Sequence, residues 1–271
     1  MKIVITGAKG QLGSELVEQA LHAGLEVQAY SSQALDITQD LTLDLSGVDA
    51  LINCAAYTAV DQAEDAPEKA FAVNATGVKN LAILCKKYQV PLIHLSTDYV
   101  FDGTKKGAYF ETDPPNPQNV YGASKLKGEQ LLQATWEKHI ILRVSWVFGR
   151  FGNNFVKTIL RLSQERPQLK IVSDQIGSPT AAQHISQLIL TLLRHPKLQS
   201  NWGIYHYTDA PLTNWCDFAK NFVNPKQCEI TPIKTAEYLT KAKRPQNSAL
   251  NCSKINHVFG IKQMEWKTAL K

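Results

Sequence analysis

The sequence has no uninterrupted apolar stretch of the roughly 18 residues that a membrane-spanning helix needs. It also has no run of five or more like charges, and its net charge of +5 over 271 residues is mild. A mildly basic balance suits anionic small ligands as well as nucleic acid, so charge alone decides little. The N-terminal stretch MKIVITGAKG lacks the longer apolar core and the cleavage site of a signal peptide. We expect a cytoplasmic protein with neither a membrane nor a nucleic-acid partner.

Cysteine and histidine lack the spacings of a disulfide framework or a zinc site. The five cysteines are odd in number and include no C-x-x-C pair, and the seven histidines show no H-x-x-x-H spacing. Disulfide scaffolds and zinc sites are normally visible as such pairs. Neither is indicated.

The first half of the chain alternates apolar strand-like runs with longer helical patterns. The strand-like runs stand at 2–6, 26–30, 50–55, 91–97 and 139–146. Residues 11–23 and 67–88 have the 3.6-residue period of amphipathic helices. Strands that alternate with helices indicate parallel strands joined by crossover helices. The predicted fold class is α/β, with a Rossmann-type doubly wound parallel sheet.

A glycine loop follows the first predicted strand. TGAKGQLG holds Gly7, Gly10 and Gly13 and opens the first helix. At that position backbone N–H groups and the helix N-terminus can face a pyrophosphate. The spacing is G-x-x-G-x-x-G rather than the usual G-x-G-x-x-G, and a plain structural turn is the alternative. The context between strand and helix favours a dinucleotide site.

The second strand indicates which dinucleotide is bound. An acidic residue at its end would bind a ribose 2′-hydroxyl, but the chain has Tyr30, Ser31 and Ser32 there. Lys9, inside the glycine loop, could meet a 2′-phosphate or simply be solvated, and Asp36 is expected on the adenine side. We predict NADPH as the cofactor, with NADH also usable.

The pattern loosens after residue 150. Residues 154–166 and 183–195 still indicate helices, and residues 169–174 and 204–209 indicate short strands. We predict a dinucleotide-binding domain over residues 1–150. Residues 151–271 are predicted to form mainly a smaller C-terminal substrate-binding lobe, with segments that return to the sheet.

The stretch YGASK places Tyr121 and Lys125 four residues apart, on the same side of a helix. Such a pair is common on solvated helix faces and indicates little by itself. Together with TGAKGQLG, NCAAYTAVDQAE, STDYVFDG, RVSWVFG, DQIGSPT and RPQNSAL, however, it forms an ordered series from residue 3 to about residue 255. This series resembles the extended short-chain dehydrogenase/reductases, and within them the reductases of dTDP-linked 4-keto sugars.

The resemblance implies NADPH-dependent reduction of the C4 keto group of dTDP-4-dehydro-L-rhamnose to dTDP-L-rhamnose. It places the catalytic tyrosine, lysine and hydroxyl on Tyr121, Lys125 and Thr97. Tyr121 would act as general acid, and the nearby ammonium of Lys125 would lower the pKa of its phenol and hold the nicotinamide ribose. Thr97 would donate a hydrogen bond to the carbonyl oxygen as negative charge develops there.

Further site residues follow by position in the motifs. The cofactor is expected to contact Gly7, Lys9, Gly10, Gln11, Leu12, Gly13, Asp36, Ile37, Ala55, Ala56, Tyr57, Tyr121 and Lys125. The substrate is expected to contact Thr97, Asp98, Trp146, Asn153, Asn154, Phe155 and Arg244. Trp146 would flank the deoxysugar, with a core aromatic as the alternative. Arg244 would bind the diphosphate, with a solvated arginine as the alternative.

Two other functions stay open, and so does the assembly. A sister reductase would keep the triad and act on another nucleotide-linked 4-keto sugar. A non-catalytic NADP-binding regulatory subunit, like the β subunit of methionine adenosyltransferase, would not need all three triad residues. A homodimer fits the family. Some relatives bridge theirs with a metal through glutamates, but here Gln183 stands where the partner of Glu15 would be acidic, so we expect no metal.

Overall fold

Six parallel strands form the central sheet of the computed structural model, which describes residues 1–270. They are β1 (Lys2–Thr6), β2 (Glu26–Tyr30), β3 (Ala50–Asn53), β4 (Leu92–Thr97), β5 (His139–Val144) and β10 (Gly203–His206), in the order β10-β5-β4-β3-β1-β2. The order reverses beside β1, so a crevice opens at the carboxyl ends of β1 and β3. The predicted doubly wound sheet of Rossmann type is confirmed.

Helices cover both faces of this sheet. They are α1 (Gln11–His22), α2 (Val60–Ala63), α3 (Pro67–Phe71), α4 (Gly77–Tyr88), α5 (Val120–Thr135), α6 (Phe155–Glu165), α7 (Ala182–Leu193), α8 (Trp215–Lys220) and α9 (Ser253–Phe259). A π-helical turn, Ala72–Thr76, joins α3 to α4, which makes the predicted helix over 67–88 one interrupted helical run. Helices α1 and α7 pack together on one face, and α4 and α5 on the other. Within the described residues no helix is both long and apolar enough to cross a membrane.

The second half of the chain contributes to two cores. Helix α7 and strand β10 belong to the central sheet and its core. The remaining strands are β6 (Val147–Phe148), β7 (Gln168–Val172), β8 (Ile176–Gly177), β9 (Thr180–Ala181), β11 (Thr213–Asn214) and β12 (Glu229–Ile233). They pair as β6–β9, β7–β12 and β8–β11. An aromatic cluster of Phe155, Trp215, Phe218, Phe222 and Trp266 packs beside them. Short 3₁₀ turns occur at Asp98–Val100, Leu198–Ser200, Thr235–Glu237 and Trp266–Leu270.

Helix α5 turns polar side chains toward the sheet. The carboxylate of Glu129 accepts hydrogen bonds from Nε and Nη2 of Arg143 on β5, at 3.0 and 2.6 Å. It also accepts one from Oγ of Ser96 on β4, at 2.5 Å. The side chains of Glu129 and Arg143 are only 1% and 2% exposed. A buried charge pair is tolerated only when both partners are well hydrogen-bonded, and this pair fixes α5 against β4 and β5.

We expect Glu129→Ala to lower the free energy of unfolding by about 3–5 kcal/mol, because it leaves the Arg143 guanidinium buried without its counter-charge. Urea titration followed by circular dichroism measures this. The matched control is Glu165→Ala, which breaks an exposed pair with Arg161 on α6. It should change the free energy by no more than about 0.5 kcal/mol. Equal effects of the two substitutions would contradict the anchoring role of Glu129.

Candidate active site

The glycine loop between β1 and α1 is built for close backbone approach. Gly7 has φ of +69°, and a Cβ there would lie 2.5 Å from the backbone nitrogen of Ala55. A Cβ on Gly13 would lie 2.2 Å from the carbonyl oxygen of Gly7. Only glycine fits at these two positions, so no side chain stands between the backbone of the loop and the N-terminus of α1. This geometry fits the pyrophosphate of a dinucleotide, which needs close backbone N–H groups and no side chain in the way.

The side chains around this loop differ in how free they are to contact a cofactor. Lys9 is exposed, whereas Gln11 donates from Nε2 to the carbonyl oxygen of Val147 at 3.0 Å and has its Oε1 buried without a partner. Leu12 packs against the main core. An unpartnered buried amide oxygen on the first residue of α1 is a free acceptor at the predicted cofactor site.

The segment expected near the adenine is divided between surface and core. Asp36 is exposed, and its carboxylate accepts hydrogen bonds from the backbone and hydroxyl of Thr38, which lower the pKa of Asp36. Ile37 is 4% exposed and packs against Gly77 of α4. The Ile37 side chain thus packs in the core, and its contact with the cofactor stays a prediction.

Asn74 connects the predicted cofactor segment to helix α5. Its Oδ1 accepts from the backbone nitrogen of Tyr57 at 2.8 Å, and its Nδ2 donates to the carbonyl oxygen of Tyr57 at 3.0 Å. Nδ2 also donates to Oγ of Ser124 at 3.0 Å. These bonds fix the half-buried stretch Ala55, Ala56 and Tyr57, which follows β3 at the carboxyl edge of the sheet.

Thr97 and Tyr121 meet at the same edge. Thr97 ends β4, and Tyr121 lies in the first turn of α5, whose N-cap Asn119 accepts a hydrogen bond from Gly122. Burial raises the pKa of the Tyr121 phenol above its ordinary value, and the hydroxyl of Thr97 opposes this with a smaller lowering effect. The expected lowering by Lys125 is absent.

Lys125 instead points into the interior. Its Nζ donates to the carbonyl oxygen of Leu95 at 2.5 Å and lies 3.4 Å from Nε2 of His94. The side chain is 2% exposed, and this burial lowers the pKa of Lys125 to about 8, against the opposing effect of Glu129. Burial therefore shifts both Tyr121 and Lys125 toward their neutral forms.

Asp98 is a buried carboxyl next to Thr97. Its Oδ1 accepts a hydrogen bond from the Thr97 hydroxyl at 3.1 Å, and its Oδ2 is buried and accepts no hydrogen bond. Burial raises the pKa of Asp98 to about 6, and the hydroxyls of Ser248 and Thr97 reduce this shift. Thr97 is thus held between the phenol of Tyr121 and a carboxyl that resists ionisation.

Two of the predicted substrate residues after β5, Trp146 and Phe155, contact Trp215 of the aromatic cluster. Trp146 has φ of +47° and stacks on Trp215 with ring centroids 3.6 Å apart. Asn154 caps α6 by accepting from the backbone nitrogen of Lys157, and Phe155 packs on Trp215. Asn153 is exposed. A cap and a packing contact already use the side chains of Asn154 and Phe155, and their contact with the substrate stays a prediction.

Arg244 lies close to Tyr99, which packs on Tyr121. Its Nη2 donates to Oδ2 of Asp61 at 2.6 Å, and its guanidinium lies 5.9 Å from the ring centroid of Tyr99. Tyr99 in turn packs edge-to-face on Tyr121, with centroids 5.6 Å apart. Arg244 also lines a groove of about 500 Å³ together with Asp102, Thr104, Tyr238, Leu239, Lys241 and Lys243.

Sequence reasoning missed several residues that hold this site. Asn119 caps α5, and Glu64 accepts a hydrogen bond from the backbone nitrogen of Val120. An asparagine just before a helix is a visible capping signal. His94, which lies beside Lys125, and Asn53, which contacts His94, carry no such signal.

The buried carboxyl of Asp98 makes stability depend on pH. Its folded pKa of about 6 lies above the ordinary aspartate value of 3.8, so the folded chain binds the proton more tightly and loses stability as pH rises from about 4 to 6. We expect Asp98→Asn to remove this loss. Relative to wild type, the variant should gain about 1–3 kcal/mol of unfolding free energy between pH 4 and pH 7.

Asp102 provides the matched control for this measurement. Hydrogen bonds from Thr104 and Tyr109 lower the pKa of Asp102 to about 2, so its contribution is present above the unfolded pKa and is lost as pH falls. In urea titrations at pH 4 and pH 7 the difference between Asp102→Asn and wild type should therefore stay nearly constant, because this loss falls almost entirely below pH 4. If the stability difference between Asp98→Asn and wild type did not change with pH, the raised pKa of Asp98 would be contradicted.

Comparisons with known proteins agree along the whole chain. The family model described as RmlD substrate binding domain matches residues 1–271. A dTDP-4-dehydrorhamnose reductase of Aggregatibacter actinomycetemcomitans is 44% identical over 100% of this chain and 97% of its own length. The crystal structure of a Clostridium acetobutylicum dTDP-4-dehydrorhamnose reductase matches with a TM-score of 0.94 at 38% identity, over 100% and 97% of the two chains. That of the Bacillus anthracis enzyme in complex with NADP matches with a TM-score of 0.92 at 36% identity, over 99% and 96%. The resemblance in the sequence motifs is thus confirmed: the chain belongs to the RmlD substrate binding domain family.

Proposed function

We propose that this protein is an NADPH-dependent reductase that converts the C4 keto group of dTDP-4-dehydro-L-rhamnose into the alcohol of dTDP-L-rhamnose. The observation that carries this proposal is the 44% identity to a dTDP-4-dehydrorhamnose reductase over the full chain. The site supports it, because a hydroxyl pair able to serve a carbonyl oxygen, Thr97 and Tyr121, stands at the sheet edge beside a glycine loop.

The chain offers a consistent set of residues for the cofactor. NADPH, when bound, supplies the hydride for the reduction. Gly7, Gly10 and Gly13 give its pyrophosphate close access to backbone N–H groups. At the far end, exposed Lys9 and the absence of a carboxylate at Ser31 favour a 2′-phosphate. Lys125 is the group proposed for the nicotinamide ribose.

The proton for the new alcohol comes from Tyr121 in this proposal. Because burial raises the pKa of its phenol, Tyr121 keeps its proton at neutral pH until a strong base forms beside it. The oxygen of a ketone under reduction becomes such a base, and it takes the phenolic proton to give the alcohol and a phenolate. Thr97 would donate a second hydrogen bond to the same oxygen, in place of its bond to Oδ1 of Asp98.

Residues 151–271 are proposed to supply mainly the substrate side of the cleft. Trp146 would flank the deoxysugar with the part of its half-buried ring that Trp215 leaves free. Arg244, next to Tyr99 and the groove, would bind the diphosphate, since a planar guanidinium suits two anionic oxygens. Its partner Asp61 would then share it with the ligand.

Location and assembly are also proposals. We propose that the protein works in the cytoplasm, where NADPH and nucleotide sugars are consumed, and that it forms a homodimer without a metal bridge. Both carboxylate oxygens of Glu15 accept hydrogen bonds from Arg150, so this glutamate is engaged within its own chain. Within residues 1–270 no group of three or more metal-ligating side chains is assembled. Light scattering with and without EDTA tests this arrangement.

The function is tested by NADPH consumption against a panel of 4-keto nucleotide sugars. We expect wild type to prefer dTDP-4-dehydro-L-rhamnose. Tyr121→Phe removes only the hydroxyl, so it should still bind NADPH and lose about 10²–10⁴-fold in kcat. Preference for another sugar would indicate a sister reductase. NADPH binding without turnover of any sugar would indicate a regulatory subunit, and near-normal kcat of Tyr121→Phe would contradict its role as acid.

For Arg244→Ala we expect a higher KM for the nucleotide sugar and an unchanged Kd for NADPH, because the variant removes binding common to ground and transition states. Loss of a charge-assisted hydrogen bond corresponds to about 1.5–3 kcal/mol, or roughly 10- to 150-fold. Asp61→Asn is the matched control, because it breaks the same ion pair and leaves the guanidinium in place. Its KM should stay constant or fall. If the two variants behaved alike, Arg244 would serve only as the partner of Asp61.

A further inference from the structure

A chain of buried side chains runs behind the triad across three neighbouring strands. The hydroxyl of Thr6 on β1 donates to Oδ1 of Asn53 on β3 at 2.7 Å, and the backbone nitrogen of Ala55 donates to the same oxygen at 3.0 Å. The other amide atom, Nδ2 of Asn53, lies 3.0 Å from Nδ1 of His94 on β4. Thr6, Asn53 and His94 are each no more than 1% exposed.

These contacts determine which nitrogen of His94 carries a proton. A backbone N–H can only donate, so the amide atom of Asn53 next to Ala55 must be the oxygen. The atom that faces His94 is then the NH₂ group, which also can only donate, and Nδ1 of His94 must accept. Burial among polar neighbours, with Lys125 and His139 as the nearby cationic groups, lowers the pKa of His94 well below its ordinary value. A neutral imidazole has one N–H, so that proton is on Nε2.

The protonated nitrogen faces Lys125. Nε2 of His94 lies 3.4 Å from Nζ of Lys125, and Nζ also donates to the carbonyl oxygen of Leu95 at 2.5 Å. An ammonium group has three donors and no acceptor, so it cannot accept the proton of Nε2. A neutral amine has a lone pair and can accept it while still donating to Leu95. A hydrogen bond made only to the neutral form favours that form.

We propose that His94 is a positioning residue for the reaction: locked by Asn53 as the Nε2–H tautomer, it holds the side chain of Lys125 and favours its neutral amine before the cofactor binds. The proposal rests on the proposed function, in which Lys125 serves the cofactor ribose. It deepens that function, because the fraction of Lys125 that is neutral then gains a proton when the side chain leaves His94 for an anionic cofactor.

Other groups around Lys125 also influence whether it is an ammonium or a neutral amine. Glu129 on its own helix and the thiol of Cys54 after β3 favour the ammonium, and burial opposes both. The resulting pKa of Lys125, about 8, lies close to the neutral range, so a single added or lost hydrogen bond can change which form dominates. Tyr121, one turn toward the N-terminus of α5, is itself kept neutral by burial.

The tautomer is tested directly on the intact, cofactor-free protein. Two-bond ¹H–¹⁵N correlation spectra of ¹⁵N-histidine-labelled protein distinguish the two neutral tautomers and the imidazolium. The spectrum of His94→Gln identifies the His94 signal among the seven histidines. We expect the Nε2–H form from pH 6 to pH 9. An Nδ1–H form or an imidazolium would overturn the proposal, and this outcome is independent of whether the protein reduces any sugar.

The effect on Lys125 is tested by the pH dependence of the Kd for NADPH. In wild type we expect affinity to fall above a midpoint near pH 8, and Lys125→Met should abolish this fall. His94→Leu removes the N–H donor and should move the midpoint up by about 0.5–1 pH unit, the size of one net hydrogen bond. His94→Gln can accept from Asn53 and donate to Lys125, so it should restore the wild-type midpoint. A midpoint that does not move in His94→Leu would overturn the proposal, because a purely structural role would lower affinity equally at every pH.

Discussion

The buried ion pair between Glu129 and Arg143 is the constraint on which the active site depends. Helix α5 faces the sheet with Tyr121, Lys125 and Glu129, which lie on one side of the helix at four-residue spacing. Because the Glu129 carboxylate is held by Arg143 and Ser96, α5 cannot rotate without exposing a buried charge to an apolar environment. Fixing the third residue of this row fixes the other two at the carboxyl edge of the sheet.

Backbone contacts at glycines bring the parts of the site within reach of one another. A Cβ on Gly122 would lie 2.2 Å from the carbonyl oxygen of Tyr99, and one on Gly128 would lie 2.0 Å from that of Asn74. Helix α5 therefore packs directly on the turn after β4 and on the π-helical turn before α4. Asn74, through Tyr57 and Ser124, joins the cofactor segment to the same helix. The cofactor side and the proton-donating side are thus one packed unit.

Burial drives the ionisable groups of the site toward neutrality before any ligand binds. It raises the pKa values of Tyr121 and Asp98 and lowers that of Lys125, in each case as the largest effect. On the substrate side, the guanidinium of Arg244 is balanced by the carboxylate of Asp61. The negative charges of NADPH and of a diphosphate sugar can therefore change which of these groups carry a proton when the ligands bind.

The sequence by itself determined the features that arise from local order. Strand and helix periodicity predicted the parallel sheet, the glycines predicted the loop between β1 and α1, and the spacing in YGASK placed Tyr121 and Lys125 on one helix face. Motif resemblance added Thr97. Only the tertiary structure decided that Lys125 turns inward to His94, that Asp61 holds Arg244, and that Ile37 packs against Gly77. The physical reason is sequence separation. The Lys125–His94 and Arg244–Asp61 contacts join residues 31 and 183 positions apart, and no period or spacing in a single chain encodes which distant side chains will meet in a buried, low-dielectric interior.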